Sequence, residues 1–229
     1  MRLNRLLTIN NKQQDLVDER IALDLFAPGR AEFTIIETET ISINQFVTFD
    51  MGYSSQDSMQ RWFIGTTDKV VKTGDRRLKV FCRELSSILS HTLPLNLRHV
   101  ALRDVLKTIH TMTGLNYSTP DKDYATQKVA NFYNLGTGYQ VMAALETVFN
   151  IPDFIWQQQS GVIYVGSWAD SRWSKIKNML LPDNIFNEHS AQNTAKVAAI
   201  PALRPGIRIS GKRINMIEFS GNQMELKWI

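Results

Sequence analysis

Over the first eighty residues, apolar and polar positions alternate in short runs separated by turn chemistry. Residues 20–26 alternate from Arg20 to Phe26, Pro28-Gly29 breaks the run, and residues 32–38 resume it. Alternation with period two predicts strands, and a Pro-Gly break between two such runs predicts a hairpin. Further strands are predicted over 46–53, 60–65, 69–72 and 77–82, the last after a Gly74-Asp75 turn. About six strands in some eighty residues is the density of an all-β barrel or sandwich.

The period then changes. A short helix is predicted over 82–89, and Pro94 forces an extended segment over 93–97. Leu102, Val105, Leu106, Ile109 and Met112 recur at steps of three and four, which places them on one helical face, and Gly114 is positioned to end that helix. A strand over 115–118 follows. The same order repeats with an extended run at 130–134 and Thr137 and Gln140 at capping-box spacing. A helix then carries Val141, Leu145, Val148 and Phe149 on one face, and Pro152 closes it. Runs at 154–156 and 162–165 flank Gln157 to Gly161, a hairpin with a loop of about five residues. Two β-α-β units, with helices laid on one face of a small sheet, are therefore expected. Residues 169–195 show no period. Strands return at 196–200, 206–210, 214–219 and 223–228, with turns at Ser210-Gly211 and Gly221-Asn222.

The fold class expected is α+β, a discontinuous antiparallel β-barrel interrupted by an α/β module. Its expected parts are 1–82 and 196–229 for the barrel, 83–168 for the module and 169–195 for a connection. The 229 residues, 43% of them hydrophobic, can bury a core of that size. No apolar run approaches the roughly 18–20 residues that span a bilayer, and the first nine residues lack the apolar stretch of a signal peptide, so a soluble protein without membrane insertion is expected. A single cysteine, Cys82, excludes an internal disulfide.

Charge adds one feature. The net charge of +4 gathers in Lys69, Lys72, Arg76, Arg77 and Lys79 and again in Lys196, Arg204, Arg208, Lys212 and Arg213. Lysines and arginines on strand edges and turns keep a sheet soluble and also form a footprint for nucleic acid.

Chemistry is sparse by comparison. His91, His99, His110 and His189 form no HExxH or i, i+4 pair, so no metal site is expected. Cys82 ends an apolar run and reads as a buried small hydrophobe. Gly136-Thr137-Gly138 precedes a helix but lacks the Walker lysine and the third glycine of the dinucleotide fingerprint, so it reads as a turn and cap and no cofactor is expected. Asp153, Asp170 and Asp183 are the carboxylates that a glycoside-cleaving site would draw on. Trp156, Tyr164, Trp168 and Trp173 cluster near the end of the module as core or interface anchors, while Trp62 and Trp228 belong to the barrel segments.

Several phrases together resemble the late-control and baseplate-hub proteins of tailed bacteriophages. These are Pro28-Gly-Arg-Ala-Glu-Phe-Thr-Ile, Leu93-Pro-Leu-Asn-Leu with the helix that follows it, Thr113-Gly-Leu-Asn-Tyr, Ile151-Pro-Asp-Phe-Ile-Trp, Gly166-Ser-Trp-Ala-Asp-Ser-Arg-Trp and Pro201-Ala-Leu-Arg-Pro-Gly. The resemblance implies a non-enzymatic homotrimeric ring at the distal end of a long non-contractile tail, assembled in the bacterial host cytoplasm and carried in the virion. Such a ring joins the tail tube or distal tail protein to a central fibre or spike, and passes the tape-measure protein and DNA through its lumen. It implies interface roles for Arg30, Trp62, Trp156, Trp168, Arg172, Trp173 and Arg204, and lumen or transient, non-specific DNA contacts for Lys69, Lys72, Arg76 and Arg77. The chain is shorter than contractile-tail hubs, which points to a long non-contractile tail and leaves open whether a larger hub is split between two genes. The module also resembles the small domains of secretins, which keeps a secretion-system component as the alternative, beside a small cell-wall hydrolase.

Overall fold

A computed structural model describes residues 2–54, 59–176, 178–180, 188–190 and 193–229, with the side chains of 188–190 outside the description. Asp183, the third candidate carboxylate, and the side chain of His189 therefore lie outside the described residues.

Seven strands open the chain: β1 (Leu3–Ile9), β2 (Lys12–Gln14), β3 (Leu16–Asp24), β4 (Arg30–Ile36), β5 (Phe46–Tyr53), β6 (Gln60–Gly74) and β7 (Arg77–Glu84). The strands expected separately at 60–65 and 69–72 are one continuous β6, because a bulge between Thr67 and Lys69 bends the strand without ending it. The helix expected at 82–89 is the end of β7 and then a 3-10 turn, Leu85–Ser90. There follow β8 (Leu95–Val100), α1 (Leu102–Thr113), β9 (Asn116–Ser118), α2 (Asp123–Thr126), β10 (Val129–Asn134), α3 (Gly138–Val148), β11 (Phe154–Gln159), β12 (Val162–Ser167) and α4 (Arg172–Lys175). The chain ends in β13 (Glu188–Ser190), β14 (Thr194–Ala198), β15 (Arg208–Ile209), β16 (Lys212–Ser220) and β17 (Gln223–Trp228). The strand expected over 206–210 is thus only the two-residue β15.

Backbone contacts divide the chain into two units, Met1–Glu84 with Ile176–Ile229, and Leu85–Lys175. The first is one antiparallel sheet in the order β13-β14-β17-β16-β3-β4-β7-β6-β5-β1-β2, with β15 beside β16. It curls on itself. Only Asp15 separates β2 from β3, so the pairing of β1 with β2 brings the far end of the sheet back to its middle and makes a barrel. Aromatic rings fill the inside: Phe33 lies 5.6 Å from Phe49 and 6.3 Å from Phe63, and Phe219 of β16 lies 5.9 Å from Phe49 of β5 and 5.5 Å from Trp62 of β6. Contacts between strands distant in the sheet order are what curling produces.

In the second unit the two β-α-β units exchange strands where a single small sheet is expected. β8 of the first pairs with β10 of the second, and β9 of the first lies parallel to β12, on the side of β12 away from β11. Neither unit closes a sheet alone, and Leu102, Val105, Leu106 and Ile109 of α1 share one core with Val141, Met142 and Leu145 of α3. Met112, placed by periodicity on the buried face of α1, is 48% exposed because it falls in the last turn of the helix. Gly114 ends α1 in the left-handed region at φ 73°. The capping box of α3 is present: the Gln140 amide donates to Thr137 Oγ1 at 3.4 Å and the Thr137 amide to Gln140 Oε1 at 2.8 Å. The loop expected at 157–161 is a two-residue turn, Ser160-Gly161, with Gln159 directly opposite Val162. Both turn residues have positive φ, 52° and 86°, which matches the twist of the flanking strands and lets the glutamines extend β11. Residues 169–195, expected as a connection, carry the 3-10 turn Trp168–Asp170, α4 and β13 among the described residues.

Candidate functional site

The basic candidates of the first unit gather on one hairpin. β6 and β7 pair from Gly65 with Glu84 to Gly74 with Arg77, and Asp75 and Arg76 make the turn. Lys69 and Lys72 lie on β6, Arg76 at the tip with φ 58°, and Arg77 on β7, all exposed. Their charge is partly neutralised. Lys72 pairs with Glu37 at 3.1 Å, Lys79 with Glu32 at 2.6 Å and Arg83 with Asp68 at 3.0 Å. Lys69, Arg76 and Arg77 have no ion pair among the described residues; Lys69 lies along the strand opposite Phe81, and Arg76 and Arg77 lie at the tip beside the exposed Asp75.

Arg204 and Trp62 are brought together, but as part of the fold. The Arg204 guanidinium sits 5.1 Å from the centre of the Trp62 ring and donates to the carbonyls of Pro201, Leu203 and Arg61 at 3.0, 2.7 and 2.8 Å. Trp62 Nε1 donates to Leu203 O at 3.3 Å, and Tyr53 donates to Ala199 O at 2.7 Å. Together they clamp the Pro201-Ala-Leu-Arg-Pro-Gly segment against β6. Trp62 is buried, so its ring offers no face to a partner. Arg30, at the start of β4, is exposed.

Two buried carboxylates escaped the sequence reading. Glu84 accepts the Gly29 amide at 2.6 Å, and a Cβ added to Gly29 would come 3.0 Å from its carboxyl carbon. Burial pushes the Glu84 carboxyl up to about 7, against the pull of the Gly29 amide and of Arg204. Glu19, 1% exposed, accepts from Arg5 at 2.7 Å and from the Gly221 amide at 3.1 Å through Oε1, and burial raises its pKa. A signal was present for both: Glu84 shares parity with inward-facing Leu78, Val80 and Cys82, and Glu19 with Ile21, Leu23 and Leu25.

In the second unit the Gly166-Ser-Trp-Ala-Asp-Ser-Arg-Trp phrase is a clasp. Trp168 and Trp173 are buried at 7% and 5%, unlike exposed interface anchors. The Trp168 amide donates to Asp153 O at 2.8 Å and Trp173 Nε1 to Gln157 Oε1 at 2.8 Å. Asp170 accepts from Tyr124 at 2.9 Å and pairs with Lys122 at 3.2 Å, while Tyr164 donates to Ser167 O at 2.7 Å. Burial pushes the phenol pKa of Tyr124 up to about 12 and raises that of Tyr164 too, so both remain hydrogen-bond donors. Gly166 lets them approach, since a Cβ there would meet both phenol oxygens at 3.0 Å. Trp156 is half-buried and stacked on Tyr139 at 6.0 Å, and the exposed Arg172 covers the Trp173 ring at 4.3 Å.

No group of three or more His, Cys, Asp or Glu side chains is arranged for a metal among the described residues. Burial raises the Cys82 thiol pKa well above its ordinary value, which keeps it a thiol. His110 Nδ1 is 2.8 Å from Leu115 O, a contact that ties the end of α1 to the following strand. No helix among the described residues is long and apolar enough to cross a membrane.

No family model matches the chain. A 58.7 kDa uncharacterized protein encoded in the lys 3′ region of Haemophilus phage HP1 (strain HP1c1) is 32% identical over 227 residues, which is 99% of this chain and 42% of that protein. The chain thus spans about two fifths of that relative. Among solved structures, the 43 kDa tail protein of prophage MuSo2 from Shewanella oneidensis superposes with a TM-score of 0.71 at 12% identity, covering 100% of this chain and 98% of the other. The tail protein from Neisseria meningitidis MC58 gives 0.66 at 13% identity over 100% and 96%. An Escherichia coli type VI secretion system component, described as similar to the bacteriophage T4 tail proteins gp27 and gp5, gives 0.66 at 12% identity over 97% and 76%. At these identities what is shared is the fold, and it extends through barrel and module alike.

Proposed function

We propose that this chain, which has the fold of phage tail proteins, is a structural subunit of a tail-tip or baseplate hub ring. Three copies close the ring by heterologous contacts, each presenting one patch to the next copy's different patch. The ring links the tail tube or distal tail protein to a central fibre or spike, and its lumen passes the tape-measure protein and then DNA. The subunit is assembled in the host cytoplasm and carried in the virion tail.

The observation that carries this reading is the curled antiparallel barrel interrupted by an α/β module, shared along its full length with tail proteins. Exposed Arg30 and Arg172 and the half-buried Trp156 stay candidates for contact with neighbours. The buried Trp62, Trp168 and Trp173 support those contacts from inside by fixing the segments that carry them. The cations at the tip of the β6–β7 hairpin suit transient, sequence-independent contact with DNA, which is electrostatic and weakens with salt. The reading is non-enzymatic. Asp170, which a hydrolase would free for catalysis, is held by Lys122 and Tyr124. A homologous position in a secretion baseplate is the second reading, favoured by the likeness to a type VI secretion component. The HP1 relative's greater length supports a hub with further domains.

Native mass measurement of the chain alone and mixed with the neighbouring tail proteins tests the proposal. A species of three times 26.2 kDa, or a complex with a tail partner, is expected. A strict monomer that binds none of them contradicts it.

A further inference from the structure

The barrel has a seam. β1 pairs with β5 along its whole length, but among the described residues its other edge is covered only at Leu7, Thr8 and Ile9, by β2. The Asn10 amide donates to Phe46 O and Arg2 O accepts from the Ser54 amide, so even-numbered residues of this strand bond toward β5. Alternation then turns the amide and carbonyl of Leu3 and Arg5 toward the uncovered edge. Across from them, β16 pairs with β3 from Arg20 to Asp24, and no other described strand pairs with the stretch from Leu16 to Glu19 on that side. Arg5 and Glu19 bridge the two strands with their side chains, and Glu19 Oε2, fully buried, has no partner. A groove of about 510 Å³ runs along this gap, lined by Arg2, Leu3, Arg5, Leu6, Leu16 and Met59.

We propose that this seam takes an extended acidic segment of a partner protein, added as a strand along the Leu3–Leu6 edge of β1. Strand addition is how an open sheet edge binds peptide: main-chain bonds supply affinity and alternate side chains supply specificity. Here the main-chain donors and acceptors are those of Leu3 and Arg5. Leu3, on the same face of β1 as the buried Leu7 and Ile9, takes every second side chain of the segment together with Leu16 and Met59, while Leu6 lies on the opposite face with Arg2. Arg2, on the opposite face from Leu3 and Arg5, is exposed without an ion pair among the described residues, whereas Arg5 is already paired with Glu19, so the polar positions of the segment that face Arg2 are carboxylates. The seam belongs to the barrel of one chain and does not depend on ring closure.

The test is amide hydrogen exchange on the whole chain with two blocked hexapeptides, one alternating glutamate and valine and the other lysine and valine. The glutamate peptide is expected to slow exchange of the Leu3 and Arg5 amides saturably, by about tenfold, with little effect on Leu6, whose amide already bonds to β5. Arg2→Glu should abolish the protection. Leu3→Pro should also abolish it while leaving the melting temperature unchanged, because that amide makes no bond to β5 and proline is tolerated at a strand edge. Unchanged exchange, equal protection by the lysine peptide, or protection that grows with protein concentration in the absence of peptide would overturn the proposal; the last would mean that a second copy fills the seam.

Discussion

Glu84 shows how much one side chain can impose on this fold. It is the last residue of β7, held by the Gly29 amide in a site that disfavours its charge. Its folded pKa of about 7 lies above the ordinary 4.5. The acid therefore contributes its full stability below pH 4.5 and loses it as the pH rises through about 7, a difference on the order of 3 kcal/mol. Glu84→Gln keeps an acceptor for Gly29 without the charge. Thermal melts from pH 5 to 8 should show the variant overtaking the parent as pH rises; parallel melting curves would refute a buried acid here. Gly65 makes a different demand. A Cβ at this position would lie 2.0 Å from Arg83 O and 2.9 Å from the Phe63 ring. Gly65→Ala should cost about 2–4 kcal/mol in urea unfolding, because backbone of β7 must move to admit the methyl group. Both buried acids were legible from strand parity. The close approach at Gly65 was not, since it depends on which strand lies opposite.

At the scale of elements, local signals were faithful and pairings were not. The caps of α1 and α3 and the Gly221 turn follow from residues within a few positions of one another, and all could be read along the chain. The Asn10-Asn11 turn was equally local: both residues have positive φ, 50° and 64°, a conformation asparagine tolerates. It passed unnoticed because Asn4-Arg5 interrupts the apolar rhythm of β1. By contrast, the exchange of strands between the two β-α-β units depends on contacts far apart in sequence. The same applies to the clasp, where Tyr124 reaches the backbone of Ser167 and the carboxylate of Asp170. Gly114→Ala should destabilise the protein by about 1 kcal/mol in urea titration, a purely conformational cost because nothing lies within 4 Å of the added carbon. Tyr124→Phe leaves Asp170 with Lys122 alone and should cost a similar amount, with the loss concentrated in faster hydrogen exchange of the Ser167 amide.

For the whole molecule, the resemblance read from scattered phrases holds at the level of fold, and the structure changes what those phrases do. Of the tryptophans expected to meet neighbours, Trp62, Trp168 and Trp173 are buried and hold their own segments in place, while Trp156 is half-buried. If Lys69, Arg76 and Arg77 face a lumen, replacing all three with glutamate should leave folding and assembly intact and reduce salt-sensitive DNA retention; unchanged retention would place them elsewhere. The central claim, a subunit that works by closing a ring, is tested most directly by electron microscopy of the purified chain's highest-mass species, with symmetry determined from class averages. The account predicts a threefold ring around an open channel. Compact particles with no channel, or single subunits at every concentration, would contradict it.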